Sequence, residues 1–282
     1  MGPRVRGTEA DRRRLIVNAD DLGRSHSINE AILRAHREGI LTTASLMVNE
    51  AACAEAVELA RANPRLGVGL HLTLLCGHSA LSSAEIPGLA NAQNEFTNNA
   101  TAAGFRYFFH RRLREQLRAE IHEQFKKFRS FGLRMDHVNG HLHLHLHPVI
   151  LSILMQDSAQ LNIRTVRLTY DPFWLNLHLA PGRFMYRSMH ALIFHTLAAR
   201  ARPRLERGGF KHTDRVFGLL QNGRVGQEYV LQLLNRLPPG DSELYSHPSL
   251  DEFKEEFEAL ISPDVCEQVR ALGIELIRYQ DL

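Results

Sequence analysis

Four short segments carry residue types able to do metal-assisted chemistry. The first is Asn18-Ala19-Asp20-Asp21-Leu22-Gly23, which follows the apolar run Leu15–Val17. Two adjacent carboxylates in a buried setting repel each other unless a cation or a shared proton lies between them. Neighbouring side chains diverge along a regular strand, so at a strand end one Asp can hold a metal while the other does different work. The same residues could also be a helix-capping turn with no chemistry. The second segment, Gly69-Leu70-His71-Leu72-Thr73, places one histidine in an apolar strand pattern. It fits a ligand or a core histidine with a hydrogen-bond partner. The third runs from Asp136 to Pro148, with histidines at 137, 141, 143, 145 and 147. If that run is extended, period two puts the last four histidines on one face, alternating with Leu. Four neutral imidazoles on one face would make a transition-metal site with capacity to spare. A histidine-rich surface turn is the plain alternative. The fourth, Glu243-Leu244-Tyr245-Ser246-His247-Pro248, sets His247 after another short strand.

Together these segments suggest one site in which an Asp and two His from different strand ends hold a metal beside a second Asp. Such a set leaves coordination open for water and a substrate oxygen, and the metal lowers the water's pKa and stabilises the oxyanion. The second Asp can accept the water's proton, and His247 is the candidate acid for a departing amine. A metal phosphoesterase also uses Asp and His at strand ends, but it usually needs two metals and more ligands than this compact set offers. A non-catalytic metal-storage protein would explain the histidine cluster but leave Asp20, Asp21 and His71 without a role.

The elements that must position these residues alternate. Strand patterns at Leu15–Ala19, Thr42–Val48, Leu66–Leu74, Met135–Asn139, Thr165–Leu168, Glu243–Ser246 and Ile274–Tyr279 are separated by longer helical patterns. The helices are expected over Ser25–Glu38, Ala51–Ala62, Tyr107–Phe131, Tyr186–Ala201 and Tyr229–Leu237, and Pro148 sits where another could begin. A polar stretch from Gly77 to Ala103 reads as loop. Strand–helix alternation over about seven units points to a parallel sheet with helical crossovers, as a distorted (β/α) barrel in one domain over residues 14–282, after a flexible tail over 1–13.

The chain has 282 residues, with 44% apolar and 23% charged, ordinary values for a globular protein. No stretch reaches the roughly 18 apolar residues of a membrane span. The first residues carry positive charge without an apolar region behind them, so no secretory signal is expected. The three cysteines are far apart, which argues against a disulfide framework and fits a reducing, cytoplasmic setting. The net charge of +3 hides two basic stretches, Arg106–Arg134 at +6 and Arg183–Arg204 at +5. Both interleave Arg with Phe, Leu, Met and Ile at helical spacing, and no nucleic-acid motif accompanies them. Such helices can lie on an anionic membrane surface, so peripheral contact with the inner membrane is an expectation; two solvated barrel helices are the plain alternative.

The segments NADDLG, GLHLTL, GHLHLHLHP and SHP, with Gly39-Ile40 through Ser45-Leu46-Met47, resemble the YdjC-like carbohydrate deacetylases over most of the chain. The fully alternating histidine run and the two basic helices look most like the hopanoid-biosynthesis-associated (HpnK) branch. The resemblance implies a distorted (β/α) barrel with its site at the C-terminal strand ends. It implies hydrolysis of an N-acetyl group on an amino sugar, with one divalent ion, Zn²⁺ or Mg²⁺. By position, Asp21, His71 and His141 match the metal ligands and Asp20 the base. The expected substrate is an N-acetylglucosaminyl hopanoid-type lipid, with a soluble chito-oligosaccharide as the alternative. Arg167 either pairs with Asp20 or touches substrate, and His143 is a further candidate for substrate contact. Where the family usually has an acid just before the first histidine of the cluster, this chain has Asn139. Ser249 stands where it often has Gly.

Overall fold

The computed structural model describes residues 12–282. The expected tail therefore lies outside the described residues up to 11, and Arg13 already opens the first strand. Six strands form one parallel wall, β1 (Arg13–Leu22), β2 (Thr43–Leu46), β3 (Gly67–Leu72), β4 (Met135–Gly140), β5 (Arg215–Phe217) and β6 (Gly240–Ser246), in the order β4-β3-β2-β1-β6-β5. A two-residue strand, β7 (Glu275–Leu276), pairs with the start of β1. Ladders leave the wall open between β4 and β5. Residues 165–170 cross that gap with single bridges: Val138 N to Thr165 O (3.0 Å), Arg167 N to Val138 O (3.0 Å) and Val216 N to Tyr170 O (2.9 Å). The strand expected at Thr165–Leu168 is thus a bridging segment that curls the sheet into a distorted (β/α) barrel.

The helices pack outside. α1 (His26–Glu38) and α2 (Cys53–Ala62) follow β1 and β2, and Ser25 caps α1 by accepting from Ile28 N. The expected Tyr107–Phe131 helix is two helices, α3 (Ala100–Phe109) and α4 (Leu113–Ser130), broken at His110. This break divides the apolar stripe. Leu113, Leu117, Ile121, Phe125 and Phe128 are buried in the core, whereas Phe105, Phe108 and Phe109 face solvent. α5 (Pro148–Gln156) starts on Pro148, which lacks only an N–H that the first turn does not need, and His147 caps it. The short α6 (Ser158–Leu161) and α7 (Phe173–Leu179) precede α8 (Phe184–Arg207). α9 (Gln227–Arg236), α10 (Lys254–Ile261) and α11 (Pro263–Ala271) complete the outer layer. The strands read as near-continuous apolar runs because both faces of a parallel wall are covered, and Leu15, Val17, Leu46, Leu70, Val138 and Leu244 join helix residues in one core.

Two local departures from regularity shape the site. The β1–β2 register shifts between Ala19 and Leu22, with Asp21 at a left-handed φ of 65°. Such a bulge re-aims side chains. The histidine run is not extended. His141–Leu146 is a tight 3₁₀ turn with Leu142 (φ 49°) and His143 (φ 58°) both left-handed. The four histidines therefore do not share a face, and the broad imidazole platform expected from period two does not form.

The glycines of β3 make room inside the barrel. A Cβ on Gly69 would lie 2.5 Å from the His137 ring, and one on Gly67 would lie 2.8 Å from Asp136 Cγ. Gly69→Ala is expected to destabilise the chain by about 1–3 kcal/mol through overpacking. Urea unfolding checks this, and an unchanged midpoint would mean the ring moves freely.

Candidate active site at the strand ends

The chemistry-bearing residues meet at the C-terminal end of the barrel. Asp20 and Asp21 end β1, His71 ends β3, Asn139 ends β4, His141 opens the 3₁₀ turn and His247 follows β6. The bulge makes the two carboxylates converge instead of diverging. They approach opposite nitrogens of the same imidazole, with Asp20 Oδ1 3.6 Å from His71 Nδ1 and Asp21 Oδ1 3.3 Å from His71 Nε2.

Asp21 Oδ1, His71 Nε2 and His141 Nδ1 lie 3.1 to 3.3 Å apart, all on buried residues. Ligand atoms about 2.1 Å from one metal sit roughly 3.0–3.4 Å from each other, so three corners of one coordination shell are in place. The tautomer also fits. His71 Nδ1–H donates to Asn139 Oδ1 at 2.7 Å, which leaves the Nε2 lone pair free. Burial works against ionisation of Asp21, but its bonds to His141 and His71 hold the carboxyl well below the usual range. Burial likewise disfavours protonated His71, yet Asp20 and Asp21 raise its pKa. Proton and metal ion would compete for the same negative site.

Asp20 is held differently. Arg167 grips it through Nη1 to Oδ2 (2.6 Å) and Nη2 to Oδ1 (3.1 Å), while Asn18 and Asn139 also donate to Oδ1. Oδ2 receives one bond and keeps acceptor capacity. Despite burial, the Arg167 charge and then His71 hold the Asp20 carboxyl far below its ordinary range. The other side of the guanidinium binds Glu243 Oε1 at 2.6 Å, and Glu243 is bonded in turn by Tyr279. Arg167 is fully buried, so of its two expected roles the geometry realises the pairing with Asp20.

The remaining histidines separate by environment. His143 Nε2 lies 2.9 Å from the Tyr245 hydroxyl, and burial, then Arg167, pushes its pKa well down, so it is neutral. His145 Nε2 donates to the Arg167 carbonyl at 2.9 Å. His137 Nε2 lies 2.9 Å from Ser45 Oγ, and its Nδ1 faces Asp136. His247 is half-buried, its main-chain N donates to Glu256, and its ring packs near Tyr245 and Phe253. Neither ring nitrogen has a hydrogen-bond partner among the described residues. Asp20, His71, His143, Tyr245 and His247 share a cavity of about 440 Å³ that opens between α3 and α8.

Several participants escaped the sequence reading. Asn18, Ser45 and Asn139 form the amide-and-hydroxyl layer beneath Asp20; for Asn18 and Ser45 the only signal is a polar residue inside a buried strand. Arg24, half-exposed, donates to Asp21 Oδ2 at 2.8 Å. Asn139 performs an orienting task at a position where an acid was the usual expectation, since its amide can accept from His71 and donate to Asp20 at once.

The sequence profile described as "YdjC-like protein" matches residues 14–271. The chain belongs to the YdjC-like protein family. A carbohydrate deacetylase of Brevibacillus brevis is 38% identical over 150 residues, which are 53% of this chain and 57% of that protein. The chain thus spans little more than half the length of that relative. A carbohydrate deacetylase of Thermoanaerobacter pseudethanolicus is 26% identical over 83% of this chain and 80% of its own length. A crystal structure from Enterococcus faecalis, of a protein named for cellobiose-phosphate cleavage, shares the fold. Its TM-score is 0.73, at 21% identity, over 96% of this chain and 98% of that one.

His145 gives a pH test of the layer beneath the site. Burial pushes its pKa down to about 3, only partly offset by its bond to the Arg167 carbonyl. The unfolded chain takes up this proton near pH 6.5, so the stabilisation is complete above that pH and is lost as pH falls towards 3. Asp171, pushed up to about 7 chiefly by burial, works in the opposite sense, so the difference from a variant is diagnostic. Between pH 7 and 5 the wild type is expected to lose about 2 kcal/mol more than His145→Gln. Equal losses in urea unfolding at the two pH values would place a charged His145 in the folded state.

Proposed function

We propose that this chain is a metal-dependent hydrolase that removes the N-acetyl group of an amino sugar, and that the sugar is lipid-linked, of the N-acetylglucosaminyl hopanoid type. The supporting observation is the donor set of Asp21, His71 and His141 beside Asp20, with His71 and Asp20 lining a cavity about 440 Å³ in size. The names of the relatives point the same way for the sugar. The lipid part rests on one stretch of the cavity wall, where Leu142, Leu144, Met189, Ile193, Phe194 and Leu197 set apolar surface beside the polar groups of the lining.

A divalent cation, Zn²⁺ or Mg²⁺, in this donor set would polarise the acetamide carbonyl and lower the pKa of a water. Two imidazoles favour zinc by ligand softness, while the carboxylate also admits a harder ion. Asp20 accepts the proton of the attacking water at Oδ2, the oxygen with a free lone pair. Arg167 holds that oxygen, Asn18 and Asn139 hold Oδ1, and the Arg167 charge keeps the carboxylate ionised. As the C–N bond breaks, the nitrogen must gain a proton, and His247 supplies it from the cavity wall. Neutral His143 and the Tyr245 hydroxyl form a hydrogen-bonding edge for the sugar.

Free acetate released from N-acetylated substrates is the assay. Release is expected to stop on chelation, return with one equivalent of metal per chain, and be absent in His71→Ala, which also loses the metal. Asp20→Asn should keep the metal but turn over about 10²–10⁴-fold more slowly. Near-normal turnover in the metal-loaded variant would remove Asp20 from proton transfer. Several weakly held metals with no acetate release would favour metal storage over hydrolysis.

His247→Ala should slow amide hydrolysis far more than hydrolysis of an activated aryl acetate, whose leaving group needs no proton. Equal losses on both substrates would assign the ring to positioning.

A further inference from the structure

The large apolar side chains that face solvent are not scattered. Among the described residues they are Phe105, Phe108 and Phe109 on α3, Leu142 on the 3₁₀ turn, Trp174 on α7, and Phe184, Met185, Met189, Leu192 and Ile193 on α8. Met185 is 84% exposed and Trp174 74%. Several of them border two openings that flank α8. Leu142, Met189 and Ile193 line the active-site cavity, while Trp174, Phe184 and Leu192 line a second groove of about 500 Å³ on the other side of α8. Phe108 stacks edge-on near His147, the residue that caps α5. Monomeric proteins rarely gather so many exposed large apolar side chains on neighbouring elements unless something covers them.

Charge identifies the cover. Phe105–Arg114 and Arg183–Arg204 contain no Asp or Glu. Arg111, Arg112 and Arg114 are exposed beside the α3 phenylalanines, and no ion-pair partner holds them among the described residues. A second copy of the chain laid face to face would set these arginines against themselves. An anionic bilayer supplies both complements at once, acyl chains for the rings and headgroups for the guanidinium groups.

We propose that this collar is an interfacial docking surface that seats the cavity mouth on an anionic bilayer, so that the acetamido sugar is taken from the membrane plane. The proposal deepens the reading above, since it presumes that the cavity is where the sugar enters. It differs from a helix lying flat along its whole basic stripe, because α4 keeps its apolar face in the core. Only α3, the α3–α4 turn with the first residues of α4, α7, α8 and the 3₁₀ turn reach the bilayer.

Trp174 is the single tryptophan of the chain, so its emission reports docking without any assay of activity. The probe is vesicles of phosphatidylcholine with phosphatidylglycerol, against phosphatidylcholine alone. Anionic vesicles should shift the emission to the blue at low salt, and salt should reverse the shift. Partitioning should weaken about tenfold or more in Arg111→Gln/Arg112→Gln/Arg114→Gln, and similarly in Phe105→Ser/Phe109→Ser/Met185→Ser. Both variants should still hydrolyse a soluble acetamido sugar as the wild type does. An unchanged emission with anionic vesicles overturns the proposal. So does a blue shift that follows protein concentration without lipid while sedimentation shows a dimer, which would make the cover a second copy. Loss of soluble-sugar hydrolysis in parallel with binding would also overturn it, by placing the collar in the sugar site. If no acetamido sugar is hydrolysed at all, the enzymatic reading falls while the emission still decides the docking.

Discussion

The Arg167 guanidinium is the constraint on which the site depends. It lies fully buried between Asp20 on β1 and Glu243 on β6 and over the Tyr245 ring at 4.6 Å. Its own backbone belongs to the segment that bridges β4 towards β5. One side chain therefore ties the closing segment of the barrel to two adjacent strands of the wall. Removing one partner from a buried pair costs about 3–5 kcal/mol because the other charge is left unpaired. Here two carboxylates share one cation, so the local balance is negative even before Asp21 is counted. That excess favours a cation at the candidate donor set, where β1 brings the carboxylates and β3 and the turn after β4 each bring an imidazole.

Beneath this charge lies a layer of neutral hydrogen-bonding groups with little freedom to rearrange. Ser45 accepts from the Asn18 and Asn139 amides, at 3.1 and 2.9 Å, and meets His137, which in turn rests on Asp136. Gln280 N closes the far end of the chain of bonds by donating to Asp136. Each member is buried, so each needs a partner, and their geometry is set by β1, β2, β3 and β4 together. The glycines on β3 are part of this arrangement, since any Cβ at Gly69 would occupy the His137 ring. The position of Asp20 is thus fixed by the whole barrel interior.

Much of this was legible in the sequence where one residue type could mean one thing. Alternating apolar strands and amphipathic helices pointed to the barrel, and polar residues at the ends of apolar runs marked Asp20, Asp21, His71 and the histidine run, within which only the family resemblance pointed to His141. Two features were not legible. The period-two histidine run pointed to an extended segment, but the main chain turns left-handed at Leu142 and His143, and no glycine signals it. The bulge at Asp20-Asp21 is equally silent, because Leu22 continues the apolar pattern across it. Both irregularities are held by tertiary contacts: His143 by Tyr245 and Thr169, and Asp21 by His141, His71 and Arg24. Local propensity cannot report a backbone strain that is offset by partners a hundred residues away. The short β5 and the bridging segment at 165–170 were missed or misjudged for a related reason. Too few residues lie in the ladder for a period to develop.

The same irregular turn links the two halves of the functional surface. His141 at its start faces the donor set, His143 bonds Tyr245 in the cavity wall, and Leu142 between them is turned outward to the collar at 49% exposure. A regular strand would put 141 and 143 on one face and send Leu142 into the packing behind it. The left-handed step instead separates three consecutive side chains by destination: candidate donor set, apolar rim and polar wall. Polarity therefore changes from a buried guanidinium–carboxylate cluster to exposed hydrocarbon within one turn of chain. The proposed substrate, with a polar acetamido head and an apolar remainder, matches that gradient in order and direction. A wholly polar oligosaccharide would leave the rim wetted and uncompensated, since it offers nothing to bury the outward-facing Phe, Met and Ile side chains.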